Sequence, residues 1–281
     1  NNTEMIFCKE LNKDFKDKHS MLKEMYESKD RIISTKKAHI HTHKRVPLRF
    51  YHEQTKSAYC LKGMNEIKGL ESDFIYPVIS NTNYADSHKD VHMDNSMNRT
   101  VKNQQGKVHY AMNHNLEIGS IIAYPKDVEM LIRDVKWTQL GKDYKGSTQA
   151  LLFKTNLQDY SPDAAIKAIK NNLPVENSIR MQYVQIEFGI KEKSDDWADA
   201  NKVWEENSSK VVNIKDFEEE GFLWFVTELK IVDEGSMVVK GSNDATPIKY
   251  KDELAKNTSS KEALEKSRLK EQKREYLLNK N

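Results

Sequence analysis

This sequence has few cysteines, no long apolar run and no large excess of charge of either sign. The two cysteines, Cys8 and Cys60, cannot build a disulfide framework and form no CxxC pair, so we expect a reducing, intracellular setting. No apolar run approaches the roughly 20 residues of a membrane-spanning helix, and the N-terminus lacks the apolar core of a signal peptide. The 45 basic and 43 acidic residues nearly cancel, so charge demands no nucleic-acid partner.

The 281 residues suffice for one large domain or two modest ones, and composition divides them into three segments. Residues 1–45 are strongly charged, and their apolar residues recur at spacings that predict an amphipathic helix. Residues 46–250 carry most of the strand-like patterns and form the predicted core domain. Residues 251–281 contain a capping box, Ser259 with Glu262, and a thin apolar stripe. They predict a charged C-terminal helix outside the core.

The stretch NLPVENSIRMQYVQIEFG, residues 172–189, predicts a turn followed by a strand. Ser178 stands where the turn becomes the strand. A sheet can hold such a side chain rigidly, as a serine nucleophile requires, provided that a neighbouring base takes the hydroxyl proton. The alternative is an ordinary turn residue, because serine is common in turns.

The segment VHYAMNHNLEIGSIIAY, residues 108–124, predicts a strand, a tight turn and a second strand. His114 lies at the turn and is a candidate base. His109 competes with it, but lies inside the strand pattern, which favours a packed or edge histidine. Further strands are predicted at 58–64, 74–79, 128–137, 148–157 and 222–232, and the segment 234–239 either continues the last strand or pairs with it. Helices are predicted after Ser161-Pro162-Asp163 and at 195–207.

Two histidine-containing runs offer a metal-binding alternative. The first has three alternating histidines and the second mixes histidine with aspartate: His39, His41 and His43, then His88, Asp90, His92 and Asp94. The first run has no acidic or cysteine ligand nearby, and no helix fixes the geometry of the second. We therefore predict a surface histidine-rich linker for the first run and a solvated loop or substrate-rim segment for the second, with no metal and no cofactor. A binding module with a metal site is the alternative.

Three segments occur in a fixed order: HNLEIG (114–119), NSIRMQY (177–183) and EGSMVVKGSNDATPI (234–248), preceded by the Asp-containing loop YADSHKDV (84–91). Together they resemble the motifs of the bacteriophage prohead, or head maturation, serine proteases, which share a fold with the herpesvirus assemblins. The resemblance covers about residues 46–250. It implies an α+β fold with a mostly antiparallel β-barrel core, wrapped by a few helices, between charged helical extensions at both ends.

The resemblance also implies a function, partners and a location. The expected function is that of a serine endopeptidase of capsid maturation, with the scaffold and major capsid proteins, and this chain itself, as substrates. We expect a homo-oligomer, of which a dimer is one form, with no membrane partner and no specific nucleic acid. The expected location is the assembling procapsid in the host cytoplasm.

Carried over to this sequence, the family motifs assign three catalytic roles. Ser178 becomes the nucleophile, His114 the general base, and Glu234 the carboxylate that orients the imidazole and stabilises its charged form. The third role stays open, because Asp233, Glu228 or a second histidine, His88, are alternatives.

The sequence departs from the family pattern at three places. Arg180 stands where glycine is usual, Gly235 replaces an apolar residue, and Lys240-Gly241 stands where a proline-containing turn is common. Arg180 is either a surface residue or a donor to an oxyanion. These departures motivate a rival hypothesis, in which the chain is a non-catalytic, protease-like structural protein associated with the capsid or scaffold.

Overall fold

The computed structural model describes residues 5–47, 74–171, 173 and 175–239, with residues 43–47 described by their backbone alone. The first half contains β1 (Ile6–Cys8), β2 (Lys13–Phe15), α1 (Lys18–Glu27), α2 (Lys29–Ala38), β3 (His41–Pro47), β4 (Val78–Asn81), β5 (Asp90–His92), α3 (Asn98–Gln104), β6 (His109–Met112) and β7 (Ile121–Ala123). The second half contains β8 (Glu129–Lys136), β9 (Ser147–Lys154), α4 (Asp163–Lys170), β10 (Glu176–Ile190), α5 (Ala198–Asn207) and β11 (Phe222–Val238). These helices and sheets confirm the α+β class.

The two longest strands, β10 and β11, form the centre of the main sheet. They pair antiparallel from Glu176 opposite Val238 to Ile190 opposite Phe222. The strand order is β3-β10-β11-β6-β7, with β5 also on β11, and both β5 and β6 run parallel to β11. Aromatic and aliphatic residues dominate β11, whereas β10 mixes them with polar residues, of which Gln185 and Glu187 are exposed.

A bulge interrupts β11 in the middle of this pairing. Ile179 pairs with Gly235 and Met181 pairs with Ile231, so Arg180 on β10 faces residues 232–234 of β11. Within the bulge, Asp233 has a left-handed backbone, with φ 64°. Such insertions bend a strand and change the direction of its side chains. Here the bulge sets the direction of the residues that follow Asp233.

A second, three-stranded antiparallel sheet has the order β4-β9-β8 and packs against the main sheet. The contact is close at Gly235, where an added Cβ would lie 2.9 Å from both Ile79 Cγ2 and Phe153 Cε2. Nearby, the Asn177 side-chain amide donates to the Val78 carbonyl over 3.1 Å. Glycine is therefore required at position 235 by the approach of the two sheets.

The N-terminal segment is part of the same core. Met21, Leu22 and Met25 of α1 are buried among the side chains of the main hydrophobic cluster. The segment forms two helices where one was predicted, because α1 begins at an Asp17 N-cap and ends at Ser28 before α2. The boundary predicted between residues 45 and 46 falls inside β3, which pairs with β10. All described residues lie in one compact unit, Asn1–Ser242.

The sheets differ from the predicted barrel. Within the part of the chain that the structure describes, the strands form open sheets of six, three and two members, so a closed barrel is not confirmed. The sheets are open because β11 takes parallel partners on one edge, while β8 and β9 pair in a sheet of their own. The predicted strand 58–64 and C-terminal helix 251–281 lie outside the described residues. Among the helices that are described, none has the length and apolarity to cross a membrane.

Candidate active site

Ser178 lies near the start of β10, between the main-chain neighbours Lys44 on β3 and Ser236 on β11. The preceding residue anchors the strand on the opposite face, where the Tyr110 hydroxyl donates to the Asn177 side-chain oxygen over 2.9 Å. Burial raises the pKa of Tyr110 well above its usual value, so the hydroxyl stays protonated and remains a donor. Ser178 therefore lies on a strand that is held on both edges and on one face.

His114 lies on the tight turn that follows β6. Asn113 and His114 both have left-handed backbones, with φ 54° and 58°, and the Asn115 N–H donates to the Met112 carbonyl over 2.9 Å. Two consecutive residues with positive φ characterise the tightest two-residue turns. The Asn113 N–H also donates to the Met237 carbonyl on β11, over 2.8 Å. The turn is thereby fixed to the strand that carries Glu234.

The structure brings the three predicted residues together. The His114 Nδ1 atom is 2.6 Å from Glu234 Oε1, and His114 Nε2 is 2.7 Å from Ser178 Oγ. A carboxylate only accepts hydrogen bonds, so Nδ1 carries the proton of the neutral imidazole and Nε2 accepts from the Ser178 hydroxyl. This tautomer is the one that a general base for Ser178 requires.

Ser236 is a fourth residue of the site, and the sequence interpretation assigned it no role. Its hydroxyl donates to Glu234 Oε2 over 2.5 Å and accepts from the His114 backbone N–H over 3.1 Å. It therefore fixes both the carboxylate and the histidine turn. One signal was present in the sequence: residues two apart on a strand point to the same face, as Glu234 and Ser236 do.

Burial separates the members of the site. Ser178, Glu234 and Ser236 have no exposed surface, whereas the His114 side chain is 16% exposed. A buried carboxylate is tolerated when its oxygens are hydrogen-bonded, and Glu234 has one partner on each oxygen. The part of the site that is open to solvent is therefore His114, while Ser178 is fully covered.

The competing residues have contacts elsewhere. The His109 Nδ1 atom lies 3.3 Å from the Asp233 carbonyl, and its ring meets Tyr124 edge-on. Asp233 is exposed on the bulge. The remaining two candidates have partners of their own. Arg99 Nη1 donates to Glu228 Oε1 over 3.0 Å, and Lys9 Nζ lies 3.3 Å from His88 Nδ1. Glu234 is thus the carboxylate that the structure places on His114.

The histidine-containing runs do not converge on a metal centre. Within the described ranges, no three His, Cys, Asp or Glu side chains are grouped as metal ligands. His41 stacks on Tyr183, with ring centroids 3.9 Å apart. His92 Nδ1 is 3.2 Å from Ser80 Oγ. The His43 side chain lies outside the described part.

No family model, curated protein or solved structure matches this chain. The chemistry that the site can perform therefore follows from its own geometry. That geometry can remove a proton from Ser178, hold it on an oriented imidazole, and return it to a leaving group.

Proposed function

We propose that this chain is a serine hydrolase that acts as an endopeptidase. One observation carries the proposal: a continuous row of hydrogen bonds from Glu234 through His114 to Ser178, with both contacts at the histidine shorter than 2.8 Å. Such rows are recognised by geometry and roles, whatever the order of the residues in the chain.

The reaction follows from the atoms of the site. Ser178 Oγ attacks the carbonyl carbon of the scissile peptide bond while His114 Nε2 takes the hydroxyl proton. The imidazolium then donates this proton to the leaving amine, and the acyl group stays on Ser178. A water molecule, deprotonated by the same histidine, then attacks the acyl carbon. The bond between this carbon and Ser178 Oγ breaks, and the imidazolium returns its proton to Ser178 Oγ. Glu234 stabilises the imidazolium in both halves, and Ser236 keeps Glu234 in position.

The choice of substrate rests on the sequence motifs that resemble the prohead proteases. On that basis the scaffold and major capsid proteins, and this chain itself, are the substrates, and the place of action is the procapsid in the host cytoplasm. A homo-oligomer belongs to the same proposal. A closed barrel would also follow from the family, but the open sheets lend it no support, so the proposal depends on the site.

A second candidate function is a non-catalytic structural protein with a protease-like site. The observation that favours it is the complete burial of Ser178. A nucleophile must become accessible to its substrate, whereas a structural serine need not.

Labelling with diisopropyl fluorophosphate distinguishes the two candidates. This reagent is small, so it requires only a small opening at Ser178. Ser178 Oγ forms a bond to phosphorus, fluoride leaves, and the hydroxyl proton passes to His114. Mass spectrometry of the folded full-length chain should find the adduct on Ser178, and His114→Ala should slow its formation by a factor on the order of 10² to 10⁴. Hydrolysis of denatured casein provides a second measurement.

Ser80 offers a matched control, because it is a second buried serine hydrogen-bonded to a histidine, 3.2 Å from His92 Nδ1. Ser80→Ala should leave labelling at Ser178 intact when variants are compared at equal folded fraction. If folded protein gives neither an adduct on Ser178 nor hydrolysis of casein, the chain is not a hydrolase and the structural candidate replaces it.

A further inference from the structure

A cavity of about 330 Å³ lies outside the candidate active site, and no residue of β10 or β11 is among the described residues that line it. Its walls come from the turn between β1 and β2, from helix α2, and from the loop before β5. The side chains that line it are mostly basic: Lys9, Arg31, Lys36, Lys89 and His88, with Glu10 as the acidic member. Four permanent cations therefore share one small cavity with one carboxylate.

Most of this positive charge has no ion-pair partner among the residues that the structure describes. Lys9, Arg31 and Lys89 form no ion pair with any carboxylate of the described residues. Like charges that share a cavity repel one another, and a bound anion would remove that repulsion. The cavity thus has an electrostatic preference for a ligand with more than one negative charge.

One of the lining residues, Lys36, forms a buried ion pair with Asp90, which lies behind the cavity wall. Lys36 Nζ donates to Asp90 Oδ1 over 2.5 Å, with the Lys36 side chain 13% exposed and Asp90 1% exposed. The Tyr183 hydroxyl donates to the other Asp90 oxygen over 2.9 Å, and the Lys36 ammonium lies 5.2 Å from the centre of the Trp224 ring. Lys36 is therefore held rigidly, while an ammonium has three donors and Asp90 occupies one.

The wall opposite α2 is also held in place. The Asp86 side chain accepts from the backbone N–H groups of His88 and Asp90, over 2.8 and 2.9 Å. Lys89 has a left-handed backbone, with φ 61°, and its carbonyl accepts from the Trp224 N–H over 2.8 Å. Positive φ is uncommon for lysine, so neighbouring contacts must maintain it. The loop thereby presents His88 and Lys89 in one fixed arrangement.

The Lys9 ammonium lies 3.3 Å from His88 Nδ1. An ammonium only donates, so at this contact Nδ1 accepts and the ring proton lies on Nε2. The second ring nitrogen of His88 is therefore a further donor. Donors thus reach the cavity from three separate parts of the chain.

We propose that this cavity binds a small phosphate-bearing anion. Phosphate groups carry about two negative charges and several strong acceptor oxygens, which matches a cluster of ammonium and guanidinium donors. The volume lies at the lower end of small-molecule sites, and Ile32 is the one apolar side chain of its lining. None of the described residues that line it is aromatic, so these residues offer no surface on which a nucleobase would stack. A pyrophosphate or a small phosphate ester fits these properties. This proposal is independent of the hydrolase function.

Calorimetric titration of the full-length chain with inorganic pyrophosphate tests the proposal. We expect one saturable site, weakened by added salt. Arg31→Gln and Lys89→Met should each lower the affinity about tenfold, a difference of about 1.4 kcal/mol. Lys102→Met is the matched control, because Lys102 is an exposed lysine on α3 that does not line the cavity. The affinity of this variant for pyrophosphate should equal that of the wild-type chain.

Two comparisons decide the ligand class. Stronger binding of glycerol phosphate than of pyrophosphate would assign the site to a phosphate ester, and the reverse to pyrophosphate itself. Equal binding of a hexaglutamate peptide would overturn the preference for phosphate. If pyrophosphate fails to bind, or Lys102→Met weakens it as much as Arg31→Gln does, the cavity is not the binding site.

Discussion

Substitution of Gly235 by alanine tests how the two sheets together position the candidate site. The residue lies between Glu234 and Ser236, and its missing side chain leaves room for the second sheet. An added Cβ would lie 2.9 Å from Ile79 Cγ2, 2.9 Å from Phe153 Cε2 and 3.0 Å from Phe153 Cζ. Its φ lies outside the left-handed region, so alanine causes no backbone strain there and the effect is entirely one of contact.

The size of the effect follows from these distances. Ordinary carbon contacts lie at about 3.5–4.0 Å, so the sheets must separate by about half an ångström or more. Overpacking of this kind destabilises by about 1–3 kcal/mol. In a domain of this size each kcal/mol lowers the melting temperature by about 2–4 °C, so we expect a fall of about 2–12 °C. A shift of the neighbouring Glu234 should also slow labelling of Ser178, because catalytic geometry tolerates little displacement.

Urea denaturation and thermal melting measure the change in stability. Gly119→Ala is the control, because no atom lies within 4 Å of its added Cβ, and its effect should stay within about 0.5 kcal/mol. Phe153→Leu removes two of the three close atoms, so Gly235→Ala should destabilise this variant less than the wild-type chain. If Gly235→Ala lowers the free energy of unfolding no more than Gly119→Ala does, the two sheets do not pack closely at Gly235.

The remaining predictions concern the site and the N-terminal helices. Ser178→Ala and His114→Ala should each reduce casein hydrolysis about as much as the double substitution, since the residues act as a unit, and additive losses would contradict this. Glu234→Gln should be milder than Ser178→Ala, with a loss of up to about 10⁴-fold in rate. Ser236→Ala should slow hydrolysis in the wild-type chain and less in the Glu234→Gln variant, because Ser236 holds the carboxylate as well as the histidine turn; an unchanged rate in the wild-type chain would refute a positioning role. Leu22→Ala should lower the free energy of unfolding by about 2–5 kcal/mol in urea, and a negligible loss would place α1 outside the core.

Local patterns in the sequence were sufficient for the elements that carry the site. The alternating segment around Ser178 is β10, the apolar run from Phe222 is β11, and the turn at His114 joins the end of β6 to the segment before β7. Periodicity and turn chemistry determine such elements over a few residues. The identities of Ser178, His114 and Glu234 as candidates came from motifs that resemble a protease family.

Long-range packing decided what these patterns left open. Four acidic or histidine residues competed for the third role, and the bulge at Asp233 directs Glu234 towards a histidine 120 positions away. The role of Ser236 and the need for Gly235 depend on the same register and on the second sheet. A slip of one residue would turn every side chain of β11 to the other face.

The sequence by itself therefore determined the strands that carry Ser178 and Glu234, where the histidine turn lies and which side chains are available for chemistry. It did not determine every strand, because the run predicted as a histidine-rich linker contains part of β3 and the run predicted as a loop contains β5. Only the tertiary structure decided that the strands form open sheets, that α1 is buried in the core, and which carboxylate meets His114. The reason is physical: side-chain periodicity is a property of neighbouring residues, whereas strand partners, bulges and burial depend on free energies summed over contacts between distant parts of the chain.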